Sequence, residues 1–142
     1  MRVDLPAQAP RAVVTAAVGP DPRLCVALAD RLAEAGYDGT GAVVLAAAGS
    51  TDEHSLDGVR RQAALLADHL GVEVTAAFLS AGEPRLADVQ PAVVASYLLA
   101  PGAFHDAMAT AATLVSAPLG DHPVLADVVL ERYDEAAAGA AR

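Results

Sequence analysis

The stretch Val43–Asp52, VVLAAAGSTD, constrains the fold more than any other. Six apolar residues, Val43–Ala48, stop abruptly at Gly49-Ser50-Thr51-Asp52. A short apolar run closed by a turn signal predicts a strand buried on both faces. Leu56, Val59, Ala63, Leu66 and Leu70 then recur at three- and four-residue steps, which predicts an amphipathic helix. Ser50 and Glu53 have capping-box spacing at its start, and Gly71 follows Leu70, where a left-handed residue ends a helix. The unit is therefore strand, tight turn, helix. In open parallel sheets such turns lie on the ligand edge, and a helix start offers N–H groups to anionic groups.

The same alternation runs along the chain. Residues 1–10, with Pro6 and Pro10, read as a tail. Arg11–Val18 reads as a first strand, closed by Gly19-Pro20-Asp21-Pro22. A helix carrying Leu24, Leu28 and Leu32 on one stripe follows, ending near Gly36, and Tyr37–Gly41 is a loop. Val72–Leu79 is the next expected strand. Glu83–Val89 is a short piece of about two helical turns, and Ala92–Ala100 is a strand stopped by Pro101-Gly102. A helix over Phe104–Ala112, a strand at Leu114–Ala117 and a last helix from His122 to Ala138 complete the pattern. The fold class is α/β: a single mostly parallel sheet of about five strands with helices on both faces, a flavodoxin-like three-layer arrangement. Only twelve residues, Ser80–Pro91, separate two of these strands, near the minimum for a parallel crossover. That shortness predicts an exposed apolar sheet face and makes a dimer the favoured assembly.

Charge and composition exclude several classes. A net charge of −9 argues against nucleic acid and against an anionic membrane surface. Cys25 is the one cysteine, so no intrachain disulfide framework exists and a reducing, cytoplasmic setting is expected. No apolar run approaches the length of a membrane span.

The chain also repeats itself. Val14–Ala35 and Val115–Ala136 align without gaps at an offset of 101 residues, matching Gly19 with Gly120, Pro22 with Pro123, Leu24 with Leu125, Arg31 with Arg132 and Glu34 with Glu135. This suggests a duplicated βα unit: residues 11–40 end one module and 41–142 form a second.

VVLAAAGSTD, AFLSAGEP, VVASYLLAPGAFHD and VSAPLGDHPVLADVVLERYDEA, in that order, resemble the sirohydrochlorin chelatase family. The likeness covers Ala12 to Ala136 and is greatest to the second half of the two-module form. It implies a class II chelatase that inserts Co²⁺, Fe²⁺ or Ni²⁺ into a tetrapyrrole for cobalamin or siroheme biosynthesis. The metal is a substrate, and no cofactor is held permanently. The implied partners are the tetrapyrrole and either a second copy or an active chelatase module.

Residue by residue, the resemblance is uneven. Gly49, Ser50, Pro101 and Gly102 match the family pattern. The family's histidine before Gly-Ser is Ala48 here, and its second histidine falls on Phe104, with His105 one residue late. Ser80 stands where an acidic residue often follows the second strand, and Glu83 comes three residues later. Metal insertion needs a base for the pyrrole protons and a transient ligand, and neutral imidazole supplies both. The candidate catalytic residues are therefore His105 and His54, with His105 the candidate metal ligand. Gly49, Ser50, Thr51, Pro101 and Gly102 are the candidate substrate-binding residues. His69 lies near a helix C-terminus and His122 in a turn, where structural roles are expected. Glu131, Asp134 and Glu135 read as a solvated helix face. Ser50 lacks a G-x-S-x-G frame, G-x-G-x-x-G is absent, and no paired Cys/His spacing forms a self-contained metal motif. The activity expected is metal insertion. The alternatives are a catalytically silent half that holds tetrapyrrole or a partner module, and an unrelated small binding protein on the same scaffold.

Overall fold

The computed structural model describes residues 20–98, 103–110, 112–120 and 122–140. The tail, the expected strand Arg11–Val18 and the Pro101-Gly102 pair lie outside the described residues. The elements run α1 (Pro22–Glu34), β1 (Val43–Ala47), α2 (Glu53–Leu70), β2 (Val74–Phe78), β3 (Val93–Ser96), α3 (Ala103–Ala109), β4 (Leu114–Val115) and α4 (Pro123–Ala140), with one 3₁₀ turn at Leu86–Asp88.

The four described strands form one parallel sheet in the order β2-β1-β3-β4. β1 is central and buried along its whole length, as its unbroken apolar sequence requires. Alternation along the strands divides two packed layers. Val43, Leu45 and Ala47 face the larger core, with Leu24, Leu28 and Leu32 of α1, Leu56, Ala63 and Leu66 of α2, and Val128 of α4. Val44, Ala46, Ala77 and Val94 face the other side, covered by Leu86 and Met108. Helices thus cover both faces, thickly on one and thinly on the other.

Three sequence expectations change here. The strands are shorter than the apolar runs: β2 spans Val74–Phe78 within the expected Val72–Leu79, and β3 spans Val93–Ser96 within the expected Ala92–Ala100. Glu83–Val89 forms a single 3₁₀ turn instead of two helical turns. Among the described residues, the expected exposed sheet face is not found. Leu86 from that turn is 2% exposed and Met108 from α3 is fully buried, so the chain covers its own second face.

The 101-residue offset reappears in the geometry. α1 starts at Pro22 and α4 at Pro123. Asp21 caps α1 by accepting from Arg23 N at 2.8 Å. His122 caps α4 by accepting from Val124 N at Nδ1, 3.1 Å. Cap and donor hold equivalent positions in both units. Because His122 Nδ1 accepts, Nε2 carries the proton of the neutral ring and donates to Asp30 Oδ2 at 2.7 Å. Glu131, the counterpart of Asp30, accepts from Arg23 at 2.7 Å, so each helix ties the start of the other. Arg31 adds bonds to the Pro118 and Leu119 carbonyls.

Gln62 joins α2 to α1 inside the core. Its Oε1 accepts from Asp21 N at 2.7 Å, and its Nε2 donates to Asp21 O at 3.1 Å and to Cys25 Sγ at 3.4 Å. The Tyr97 hydroxyl donates to the same Oε1 at 3.5 Å. Each polar atom of this buried amide has a partner, as burial demands.

Candidate functional site at the carboxyl edge of the sheet

β1 leads to β2 across one face of the sheet, whereas β2 leads to β3 and β3 to β4 across the other. The winding therefore reverses between β1 and β3. In open α/β sheets, the crevice outside the carboxyl ends of the strands at that reversal is where ligands bind. Beyond Tyr97 N, which donates to Ala46 O at 2.8 Å, the two strands part. Ala48 turns towards the β2 side, while Leu98 accepts from Leu119 N at 2.8 Å on the β4 side.

The β1 side of this crevice is fixed by hydrogen bonds that continue past the strands. Leu79 N donates to Ala47 O at 3.0 Å, Ser80 N to Ala48 O at 2.9 Å, and Ser50 N to Ala81 O at 2.9 Å. The Ser80 hydroxyl adds a 2.6 Å bond to the same Ala48 carbonyl. Gly49 lies between them with φ of +107°. A Cβ there would overlap the Ala81 carbonyl oxygen and crowd Ser80 Oγ. Glycine is thus required twice, by its backbone conformation and by the approach of the neighbouring loop.

The start of α2 is capped differently from the expected box. Asp52 is the cap: its carboxylate accepts from His54 N at 3.0 Å and from the Ser55 hydroxyl at 3.2 Å. Ser50 Oγ accepts from Asp52 N at 2.9 Å, closing a local turn, while Glu53 pairs with Arg60 at 2.7 Å. Asp52 satisfies the N-cap preference as well as Ser50 does, but only an extended residue directly before the helix can cap it. Asp52 has that conformation, with φ −91° and ψ 113°. The consequence is chemical. A carboxylate already occupies this helix start, which weakens its attraction for another anion.

Of the expected site residues, Gly49, Ser50, Thr51 and His54 lie together on the β1–α2 connection, and His54 is exposed in the first turn of α2. Phe104 and His105 belong to the backbone of α3, which follows β3, so the topology brings both groups to the two strands flanking the crevice. The side chains of Phe104 and His105 lie outside the described part. Among the described residues, no three His, Cys, Asp or Glu side chains converge to hold a metal. The sequence marked Ser80 only as standing in the place of an acidic residue, and it gave no role to Arg60. Arg60 lies 5.7 Å from the centroid of the Phe78 ring, pairs with Glu53 and Asp57, and donates to Glu83 O at 3.2 Å. The i, i+3 spacing of Asp57 and Arg60 was a readable signal; the approach to Phe78 was not.

A cleft of about 360 Å³ opens at the opposite end of the sheet, between the Gly36–Thr40 loop and the starts of β3 and β4. Its polar groups are engaged locally. The Tyr37 hydroxyl donates to Gly41 O at 2.7 Å, and Asp38 accepts from Thr40 N and Oγ. Those Thr40 bonds hold the Asp38 carboxyl below the usual carboxylate range. The carboxyl edge, not this cleft, combines a winding reversal with a locked loop.

The arrangement defines an open, parallel α/β protein with its ligand edge at a winding reversal. Residues 42–136 match the CbiX family, and the chain belongs to that family, the sirohydrochlorin chelatases. Among solved structures, it is similar to SirB from Bacillus subtilis with Fe³⁺, with a TM-score of 0.72 and 26% identity over 87% of this chain and 57% of that one. It is also similar to the sirohydrochlorin chelatase SirB from Bacillus subtilis subspecies spizizenii in complex with cobalt. There the TM-score is 0.63 and the identity 25%, over 83% of this chain and 51% of that one. The chain therefore spans little more than half the length of these structures. No curated protein matches it. Among the described residues, no helix is long and apolar enough to cross a membrane.

Proposed function

We propose that this chain binds sirohydrochlorin at the crevice between the ends of β1 and β3 and serves the insertion of Co²⁺ or Fe²⁺ into it. The observation that carries the reading is the crevice itself, formed at the winding reversal within the family-matched segment and bounded by the locked Ala48–Ser50 loop. Backbone groups there hold substrate, and His105 with His54 supplies the base and transient ligand. The test is a visible-absorption titration with sirohydrochlorin, followed by Co²⁺. A spectral shift on binding and insertion faster than the spontaneous rate establish a working chelatase. Absence of any shift overturns the reading.

A second reading is favoured by Ala48. Its methyl group cannot ligate metal or accept a proton, and its carbonyl is engaged by Ser80. On this reading the chain holds tetrapyrrole and depends on a partner module for insertion. Binding without insertion is then the expected result. The double substitution Ala48→His with Phe104→His should raise the Co²⁺ insertion rate above the parent. An unchanged rate in a variant that still binds tetrapyrrole counts against a site disabled by those two positions.

A further inference from the structure

We infer that Arg85 is a substrate-carboxylate contact at the carboxyl edge of the sheet, an assignment that rests on the tetrapyrrole reading above. Its backbone position is fixed. Arg85 forms a parallel bridge with Phe78, which is in register with Ala47 of β1. Phe78 N donates to Pro84 O at 3.0 Å, and Asp88 N donates to Arg85 O at 3.0 Å. Arg85 thus occupies the row Arg85, Phe78, Ala47 across the end of the sheet. At the spacing of neighbouring strands it stands about 10 Å from Ala47.

Its charge is what sets it apart. Sirohydrochlorin is a polycarboxylate, and this chain carries a net charge of −9. The loops after β1 and β2 bear Asp52 and Glu83, which repel such a ligand. Three other described arginines are already paired. Arg60 is held by Glu53 and Asp57, Arg23 by Asp21 and Glu131, and Arg31 by Glu34. Arg85 is exposed and makes no ion pair among the described residues. A planar guanidinium matches a carboxylate in two-point fashion, and an unpaired one needs no existing partner removed first. Among the described residues, an anionic macrocycle approaching this edge therefore meets in Arg85 a cation with no ion pair to break.

Arg61 supplies the control. It too is exposed and makes no ion pair among the described residues, but it lies on α2 about 100° around the axis from Arg60. Arg61→Ala and Arg85→Ala change the net charge equally. The experiment measures the Kd for sirohydrochlorin by visible absorption for the parent, Arg85→Ala, Arg85→Lys and Arg61→Ala, at low and at high salt. Arg85→Ala should raise Kd about tenfold at low salt, Arg85→Lys by less, and Arg61→Ala by under about twofold. The Arg85→Ala effect should shrink as salt rises. Melting temperatures should match, since the side chain is exposed. Parent-like affinity in Arg85→Ala, or an equal loss in Arg61→Ala, overturns the assignment and leaves the functional reading standing. A parent chain that binds no sirohydrochlorin overturns both.

Discussion

Gly49 concentrates the demands that the site makes on single residues. Its left-handed backbone and its contact with the Ala81 carbonyl leave no room for a side chain. Gly49→Ala should therefore cost about 3 kcal/mol, from backbone strain and from displacement of the β2 loop. Urea denaturation measures the loss, and sirohydrochlorin binding should weaken with it, because the displaced loop borders the crevice. Gly49 was legible as a turn residue, since an apolar run ended on it. Its second role was not, because Ser80 and Ala81 lie far along the chain from it and meet it only once β2 pairs with β1. The bond from Ser80 to the Ala48 carbonyl was hidden for the same reason: a serine after a strand carries no mark of the carbonyl it will bond. The histidines are a different case. Ala48 and Phe104 are plain in the sequence, and their meaning comes from the family pattern, not from their own chemistry.

The elements show where local signals suffice. β1 follows from its unbroken apolar run and α1 and α2 from periodicity, and Gly71 ends α2 with φ of +74° and a 2.8 Å bond to Ala67 O. The start of α2 required a choice between two plausible caps, and backbone conformation decided for Asp52. Asp52→Ala should destabilise the protein by about 1 kcal/mol, whereas Ser50→Ala should cost less, since Ser50 supports only a local turn. Urea midpoints for the two variants check the order, and a larger loss for Ser50→Ala would restore the capping box. The short crossover illustrates the reverse case. Twelve residues read as too few to cover a sheet face, yet the strands end early enough for one 3₁₀ turn to seat Leu86 on it. Sequence length fixed the constraint, and packing found a solution that spacing alone could not show.

Across the whole molecule, the buried polar cluster makes stability depend on alkaline pH. Burial pushes the Cys25 thiol above its ordinary value, and burial likewise pushes the Tyr97 phenol well above its own. Both groups are neutral when protonated, so a raised folded-state pKa favours the fold while they keep their protons. This contribution is complete below the ordinary thiol value of 9.0. Above it the unfolded chain ionises first, and stability falls, more steeply past the ordinary phenol value of 10.0. Denaturation midpoints measured across that range should fall, and Tyr97→Phe should flatten the upper part of the decline. A midpoint independent of pH there would show that neither group is shielded. The fold class was legible from strand and helix alternation. The cluster was not, because the start of α1 with Asp21 and Cys25, Gln62 of α2 and Tyr97 after β3 come from three separate stretches.

The mutual ties between α1 and α4 have a consequence for how the polypeptide comes to order. Arg23 and Glu131 are 108 residues apart, and Asp30 and His122 are 92 apart. During synthesis α1 leaves the ribosome long before its counterpart exists. Its stripe of Leu24, Leu28 and Leu32 finds α2 and the sheet first. Closure between the two helices comes last, and contacts so distant along the chain slow folding. The nascent chain therefore passes through an interval in which its sheet is formed and one flank of α1 is still bare, and that interval is when a chaperone would meet it.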